Sequence, residues 1–323
     1  MIAFLQQILA FVLAFIQTII PFVSYSPVED DEILLNVAMI SDTHLDDRFP
    51  LGKWNLAFGL KDIARNSTPA DAVVVSGDLT NYGDEASVAC FYELMEKHCK
   101  TDPSAWIVAT GNHEIGHPEE FTNEEARQNF IKYHKQHTGH NIENVYYSAD
   151  VKGYTFIMLG DQSEDNWDSC DIYDDQLAFL DTELARATAD GKPAFVVCHV
   201  PVEGVNGQDV IYEDGGLDTD VSEKVTAIME KYNNVIFISG HVHTGINGPV
   251  LQNLFGEDFC CVEEHDGVTY VNLPTYGIVN RYGIPWNGMG FWMEVYEDEI
   301  IFRARKFNTS RWYAYHEFSV ELN

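Results

Sequence analysis

Short runs of apolar, often β-branched residues recur along the chain, and each ends in a cluster of polar residues. Residues 33–40 open the series and lead into Ser41-Asp42-Thr43-His44. Val73-Val74-Val75 leads into Ser76-Gly77-Asp78, and residues 105–109 lead into Thr110-Gly111-Asn112-His113. Residues 156–159 run into Gly160-Asp161, residues 194–198 into His199, and residues 235–238 into Ser239-Gly240-His241. Continuous apolar runs of this length with turn residues at their ends fit buried strands. Between them, residues 55–65, 85–97, 123–137, 175–187 and 222–231 carry apolar positions at i, i+3, i+4 spacing, which predicts amphipathic helices. Strands alternating with helices predict an α/β sheet, whose functional site lies beyond the carboxyl ends of its strands. After about residue 245 the helical spacing stops, and residues 268–273, 290–296, 299–307 and 312–322 read as strands. These are expected to form a second, more antiparallel sheet packed on the first.

The first 26 residues follow a different pattern. No charged side chain occurs from Ile2 to Val23, and the first basic residue is Arg48. Twenty-two mostly apolar residues suffice to span a bilayer as a helix. Gln6, Gln7, Ala10, Ala14, Gln17, Thr18 and Pro21 recur on one side at helical spacing, a small and polar stripe on an otherwise greasy helix. Three readings follow: a cleaved signal peptide, a retained membrane anchor, or a helix docked on the domain. A signal peptide lacks its positive n-region here, and Pro27 directly follows the small-x-small site Ser24-Tyr25-Ser26. The first two readings place the protein outside the cytoplasm, secreted or anchored, with membrane contact through residues 2–23. The organisation expected is a leader or anchor over residues 1–26, an acidic run at 29–32, and one folded domain over residues 33–323.

Composition narrows the function classes. With 323 residues, 46% hydrophobic and 22% charged, the chain is globular rather than disordered, collagen-like or disulfide-dense. The balance of 19 Lys+Arg against 51 Asp+Glu gives a formal charge of −32, which repels phosphate backbones and argues against polymeric nucleic acid as a partner. The six cysteines include no CxxC pair, and Cys198 lies in an apolar run where it reads as a small core residue.

Five clusters carry candidate chemistry: Asp42-Thr43-His44, Gly77-Asp78, Gly111-Asn112-His113-Glu114, His199 and Gly240-His241-Val242-His243. Singly, each has a plain explanation, since Gly-Asp after a strand is usually a turn and a lone histidine is usually structural. Together, at five strand ends, they point to metal. Asp-x-His and His-x-His put two side chains on one side of an extended segment. Carboxylate, imidazole and amide oxygen donors suit zinc, iron or manganese. Seven such donors exceed one tetrahedral site and suit two ions sharing a carboxylate.

In this order the motifs resemble those of the calcineurin-like metallophosphoesterase superfamily, from Val37 to His243. Gly77-Asp78-Leu79-Thr80 and the stretch Asp174-Asp175-Gln176-Leu177-Ala178-Phe179-Leu180 further resemble its cyclic-nucleotide-phosphodiesterase-like branch. The resemblance implies an α/β fold of two packed mixed β-sheets flanked by helices, an αββα sandwich. It implies that Asp42, His44 and His243 hold a first divalent ion, that Asp78 bridges both, and that Asn112, His199 and His241 hold the second. His113 matches the catalytic histidine beside the leaving group, and Asp42 could orient it as well as bind metal. The implied reaction is hydrolysis of a small phosphate ester by in-line attack of a metal-bridging hydroxide, with a phosphodiester favoured over a phosphomonoester. The other reading is a non-catalytic metal-binding module, which would be expected to have lost some of these residues. The cofactors are two divalent ions, Mn, Fe or Zn. Their charge, about +4 against the carboxylates of Asp42 and Asp78, makes the site locally positive despite the acidic surface.

The chain departs from purple acid phosphatases, which carry Asp-x-Gly in the first motif and a tyrosine ligand three residues after the second aspartate. Here His44 and Asn81 stand at those places, with Tyr82 one further on, so no tyrosinate-iron centre is expected. Val200-Pro201 follows His199 where many relatives have a second histidine. His117 reads as a loop histidine and the acidic stretch from Asp161 to Asp175 as a solvated loop without calcium-loop spacing. Trp167, Tyr276, Tyr282 and Trp286 read as aromatics packed between loops rather than as substrate contacts.

Overall fold

Strand β1 (Leu35–Ile40) is buried along its whole length because it is paired on both sides. It runs parallel to β2 (Ala72–Ser76) and antiparallel to β10 (Met289–Val295), with Met39 opposite both Val74 and Phe291. The structure, a computed structural model, describes residues 32–65, 70–115, 121–164, 170–246, 260–277 and 288–323. The first sheet has the order β12-β11-β10-β1-β2-β3, where β3 is Trp106–Ala109, β11 is Glu299–Lys306 and β12 is Arg311–Glu321. The second has the order β4-β5-β6-β7-β9-β8, from β4 (Tyr147–Val151), β5 (Tyr154–Met158), β6 (Ala194–Val197), β7 (Val235–Ser239), β8 (Val262–His265) and β9 (Val268–Asn272).

Both sheets are mixed: the first is parallel from β1 through β2 to the edge strand β3 and antiparallel from β1 through β10 and β11 to β12, while the second has a parallel interior with an antiparallel strand at each margin. The expectation that the late strands build a sheet of their own is therefore corrected. β10, β11 and β12 extend the first sheet through β1, while β9 joins the second by pairing parallel to β7. β1 and β7 each need a second neighbour, because an unpaired backbone edge beside a buried strand would leave its polar groups without partners.

Helices α1 (Pro50–Ile63) and α2 (Glu85–His98) turn apolar faces, among them Leu56, Leu60, Val88 and Phe91, into one core cluster. That cluster also takes Met39 and Val74 from the first sheet and Phe156, Phe195 and Ile238 from the second. The facing sheets thus bury one shared layer. The other face of the second sheet packs Val196 and Phe237 against Leu180 and Leu184 of α5 (Asp174–Ala187) and Val225 of α7 (Thr219–Met229). Two short helices, α3 (Asn112–Ile115) and α6 (Gln208–Ile211), lie in loops, and α4 (Asn123–Thr138) starts with a reciprocal capping box between Thr122 and Glu125. The layers are therefore helix, sheet, sheet, helix, as the resemblance implied. Among the described residues no helix is long and apolar enough to cross a membrane, and residues 1–26 lie outside them.

Candidate metal centre

Every one of the five polar clusters sits just past the carboxyl end of a strand, and the loops there stay zipped together. The Asp42 amide donates to Gly77 O at 3.2 Å, the His44 amide to Asp78 O at 3.0 Å, and Thr43 Oγ1 to Leu79 O at 2.6 Å. This carries the β1–β2 alignment into the site. Gly77 has φ 79°, and a Cβ there would stand 2.6 Å from the His199 ring, so the position needs glycine twice over.

The seven donors converge. Oxygens of Asp42 and Asp78 and nitrogens of His44 and His243 all lie within 4.8 Å of one another, and so do those of Asp78, His199 and His241. Asp78 belongs to both groups: its Oδ2 lies 3.3 Å from His44 Nε2 and 3.1 Å from His199 Nε2. His243 Nε2 is 3.1 Å from Asp42 Oδ1 and 3.0 Å from His44 Nε2. Asn112 Oδ1 is 3.1 Å from His241 Nδ1, which adds the amide oxygen to the second group.

The local backbone differs from the extended Asp-x-His and His-x-His geometry expected from sequence. Asp42, His44, Asp78, His241 and His243 have φ of 56°, 43°, 48°, 64° and 52°. Left-handed backbone costs an L-residue roughly 1–2 kcal/mol, and five instances in one cluster mark strain held at a functional site. The donor pairs converge because the chain turns sharply at each donor, not because strand side chains alternate.

The buried polar atoms fit a pair of cations. Asp42 Oδ2, Asp78 Oδ2, His199 Nε2 and His241 Nε2 are all buried without a hydrogen-bond partner. Such an atom normally costs about 1–3 kcal/mol, so orphaned atoms on four of the clustered residues, with those of Asp78 and His199 only 3.1 Å apart, point to a ligand set rather than to packing. His199 Nδ1 donates to Ser76 O at 2.6 Å, which fixes its tautomer and leaves the Nε2 lone pair directed at Asp78 and its neighbours. His113 Nδ1 donates to Asn81 O at 2.8 Å, and its ring centroid stands 4.6 Å from that of His44, edge to face. His113 and His243 are half-buried whereas the other donors are buried, so these two mark the open side of the site.

Electrostatics follow from two buried carboxylates. Burial opposes ionisation of Asp78, but His199, His113 and His44 outweigh it and hold the carboxyl well below its ordinary range. Asp42 is likewise lowered, burial being overcome by His243 and His199. Burial pushes His44 and His241 down to about 3, the neutral form a metal requires. For His199 burial also disfavours the proton, yet Asp78 and Asp42 overcome it and raise the group to about 10. The pocket thus recruits positive charge, and a proton on His199 meets that demand when nothing else does.

Two residues without an assigned role in the sequence patterning belong to the site's frame. Glu114 Oε1 accepts from Thr80 N at 2.8 Å and Thr80 Oγ1 at 3.0 Å, while Oε2 accepts from Gly111 N at 2.9 Å. It ties the Asp78 loop to the Asn112 loop, and burial raises its carboxyl to about 7. The Tyr212 ring lies 5.5 Å from that of His241. No motif marks Tyr212; its place emerges from the turn after α6.

Of the residues set aside, Tyr276 is buried and its hydroxyl donates to Asn55 O at 2.8 Å, a core contact as expected. Tyr82 is 40% exposed with Arg48 over its ring. The solvated-loop reading of the acidic stretch needs correction at its start. Asp161 is buried and organises the loop by accepting from Ser163 N at 2.9 Å and Asp171 N at 2.7 Å. His117, Trp167, Tyr282 and Trp286 lie outside the described residues. All six cysteines are free thiols in this structure, Cys90 and Cys99 included.

Comparison with known proteins gives a concordant result. The family model described as calcineurin-like phosphoesterase matches residues 35–245. Purple acid phosphatase 22 of Arabidopsis thaliana is 30% identical over 186 residues, covering 55% of this chain and 39% of its own length. Purple acid phosphatase 21 of the same plant is 28% identical over 183 residues, 54% of this chain and 38% of its own. The chain therefore spans well under half the length of these curated relatives. Among solved structures, a dimetal phosphatase from Danio rerio superposes with a TM-score of 0.57 at 15% identity, over 90% of this chain and 100% of that one, which shows a shared fold. The chain belongs to the calcineurin-like phosphoesterase family.

Proposed function

We propose that the protein hydrolyses a small phosphate ester with two divalent ions, and that a phosphodiester is preferred. The observation that carries this reading is Asp78, whose Oδ2 faces His44 and His199 from two separate donor groups and has no hydrogen-bond partner. In this reading Asp42, His44 and His243 hold one ion, Asn112, His199 and His241 the other, and Asp78 both. Nitrogen and oxygen donors without thiolate suit Mn, Fe or Zn. When bound, such ions supply Lewis acidity toward the phosphoryl oxygens and lower the pKa of a coordinated water.

The chain's own residues do the rest. His113, on the open side, has its Nδ1–H committed to Asn81 O, so it is the protonated, imidazolium form of the ring that presents a second N–H, on Nε2, to the departing alkoxide. Burial disfavours that proton, but Asp78 and the Asn81 carbonyl raise the His113 pKa overall, which suits a general acid. We assign the orienting of His113 to Asn81 and keep Asp42 as a ligand. Glu114 and Ser76 hold the donors in place, and the buried walls exclude bulk water.

A phosphomonoester is the second reading, supported by the names of the purple acid phosphatase relatives. The test is to load the full chain with Mn, Zn or Fe and compare bis-p-nitrophenyl phosphate with p-nitrophenyl phosphate. Faster cleavage of the diester supports the proposal, faster cleavage of the monoester supports the second reading, and no hydrolysis with two ions bound would leave a metal-binding module. We also infer export, with residues 1–26 as leader or anchor and residues 33–323 as the enzyme domain. Mass spectrometry of the mature N-terminus separates cleavage from retention.

A further inference from the structure

Helix α1 has two faces, and its outer one is unusual for this protein. Leu56, Leu60 and Ile63 are buried, while Phe49 just ahead of the helix and Leu51, Trp54 and Phe58 within it are 64%, 51%, 60% and 55% exposed. Four large apolar side chains on one surface exceed the scattered exposure normal for a soluble face. The charges toward the C-terminal end of the helix are basic, whereas Lys53 at its start donates to the Asp47 carbonyl at 2.6 Å and lies near the Asp46 carboxylate. The helix carries Lys53 and Lys61, and its one carboxylate, Asp62, is buried in a bidentate pair with Arg305. Lys61 Nζ sits 5.7 Å over the Phe58 ring. Beyond burial, the charges of Lys61, Lys97 and Lys100 all depress the His98 imidazole, so three lysines crowd one patch at the end of α2. In a chain with 19 basic against 51 acidic residues, such a patch is out of character.

We propose that the outer face of α1 docks on an anionic lipid bilayer. Aromatic and leucine side chains flanked by lysines are the composition of a helix lying in the membrane interface. Lysine stems cover apolar surface while their ammonium groups reach lipid phosphates. The chain's other apolar segment, residues 2–23, ends close in sequence to Leu34, which is itself exposed where the chain enters β1. That segment carries no charged side chain and so offers nothing to Lys61, Lys97 or Lys100, whereas phosphate headgroups do. Docking through α1 would also fix the orientation of the metal centre, because the helix follows directly on the Asp42–His44 loop.

The test is tryptophan quenching of the full chain by vesicles with brominated acyl chains, made of phosphatidylcholine with or without phosphatidylglycerol. The wild type is compared with Trp54→Phe, whose ester hydrolysis in solution should be unchanged. The expected result is quenching on anionic vesicles that Trp54→Phe lacks, that falls at high salt, and that is lost in Lys61→Glu/Lys97→Glu. Equal quenching of wild type and Trp54→Phe on anionic vesicles would overturn the proposal. So would a Trp54 shielded from acrylamide before any vesicle is added: independent of protein concentration, that result means residues 2–23 cover the face, and dependent on it, a second copy does.

Discussion

The proton on His199 gives the sharpest quantitative expectation. In the metal-free protein its imidazole is raised to about 10, burial being overcome by Asp78 and Asp42. An ion that takes Nε2 as a ligand must displace that proton. At pH 7 the proton is held about three pH units above ambient, which at about 1.36 kcal/mol per unit costs roughly 4 kcal/mol, or about a thousandfold in apparent affinity. Affinity for Mn should therefore rise close to tenfold per pH unit between about pH 7 and 9, and flatten as pH nears 10. The linked stability has the opposite slope. A raised folded-state pKa stabilises the metal-free protein fully below about 6.5, and that contribution is lost as pH rises toward about 10. Competition titrations against a Mn chelator at pH 7, 8 and 9 measure the slope, with His199→Gln as control because it removes the proton-binding group. A flat affinity in the wild type, or an undiminished slope in His199→Gln, would refute the reasoning.

Other outcomes follow from single contacts. Glu114→Gln turns an NH2 toward one of the amides that the carboxylate now accepts, from Thr80 or Gly111. Thermal unfolding should show a loss of about 1–3 kcal/mol, and Mn titration a 10–100-fold loss of affinity as the two loops separate. Arg305→Ala strands the Asp62 carboxylate, now held by two 2.7 Å bonds, and should cost about 3–5 kcal/mol in urea unfolding. The pair replacement Asp62→Leu/Arg305→Met should cost clearly less. Gly111→Ala puts a Cβ into the Asp78 carboxylate, so metal content should fall while circular dichroism still reports a folded chain.

The site was legible because each donor follows an apolar run, and a buried strand hands its last residue to a loop at one end of a sheet. Partnering of the late strands was not legible. Met39 meets Phe291 from the far end of the sequence, and nothing local to β10 distinguishes joining β1 from founding a sheet. β4 and β8 escaped notice for another reason: each has only β5 or β9 as neighbour, and edge strands such as Val262–His265, with Glu263, Glu264 and His265, need no apolar run. The left-handed backbone at Asp42, His44, Asp78, His241 and His243 also left no trace, since Asp and His carry no obligatory conformation. Their chemistry was readable; the turns that aim it were set by loop-to-loop hydrogen bonds. The buried Asp161 shows the converse, an acidic residue whose role is to hold a loop together.

The central claim is a pair of ions sharing Asp78, and electron paramagnetic resonance of the Mn-loaded chain, with metal counted by mass spectrometry, tests it most directly. The account requires two Mn per chain with the spectrum of a spin-coupled pair, and loss of that coupling in Asp78→Ala. Two uncoupled ions, a single ion, or a coupled spectrum that survives in Asp78→Ala would contradict it.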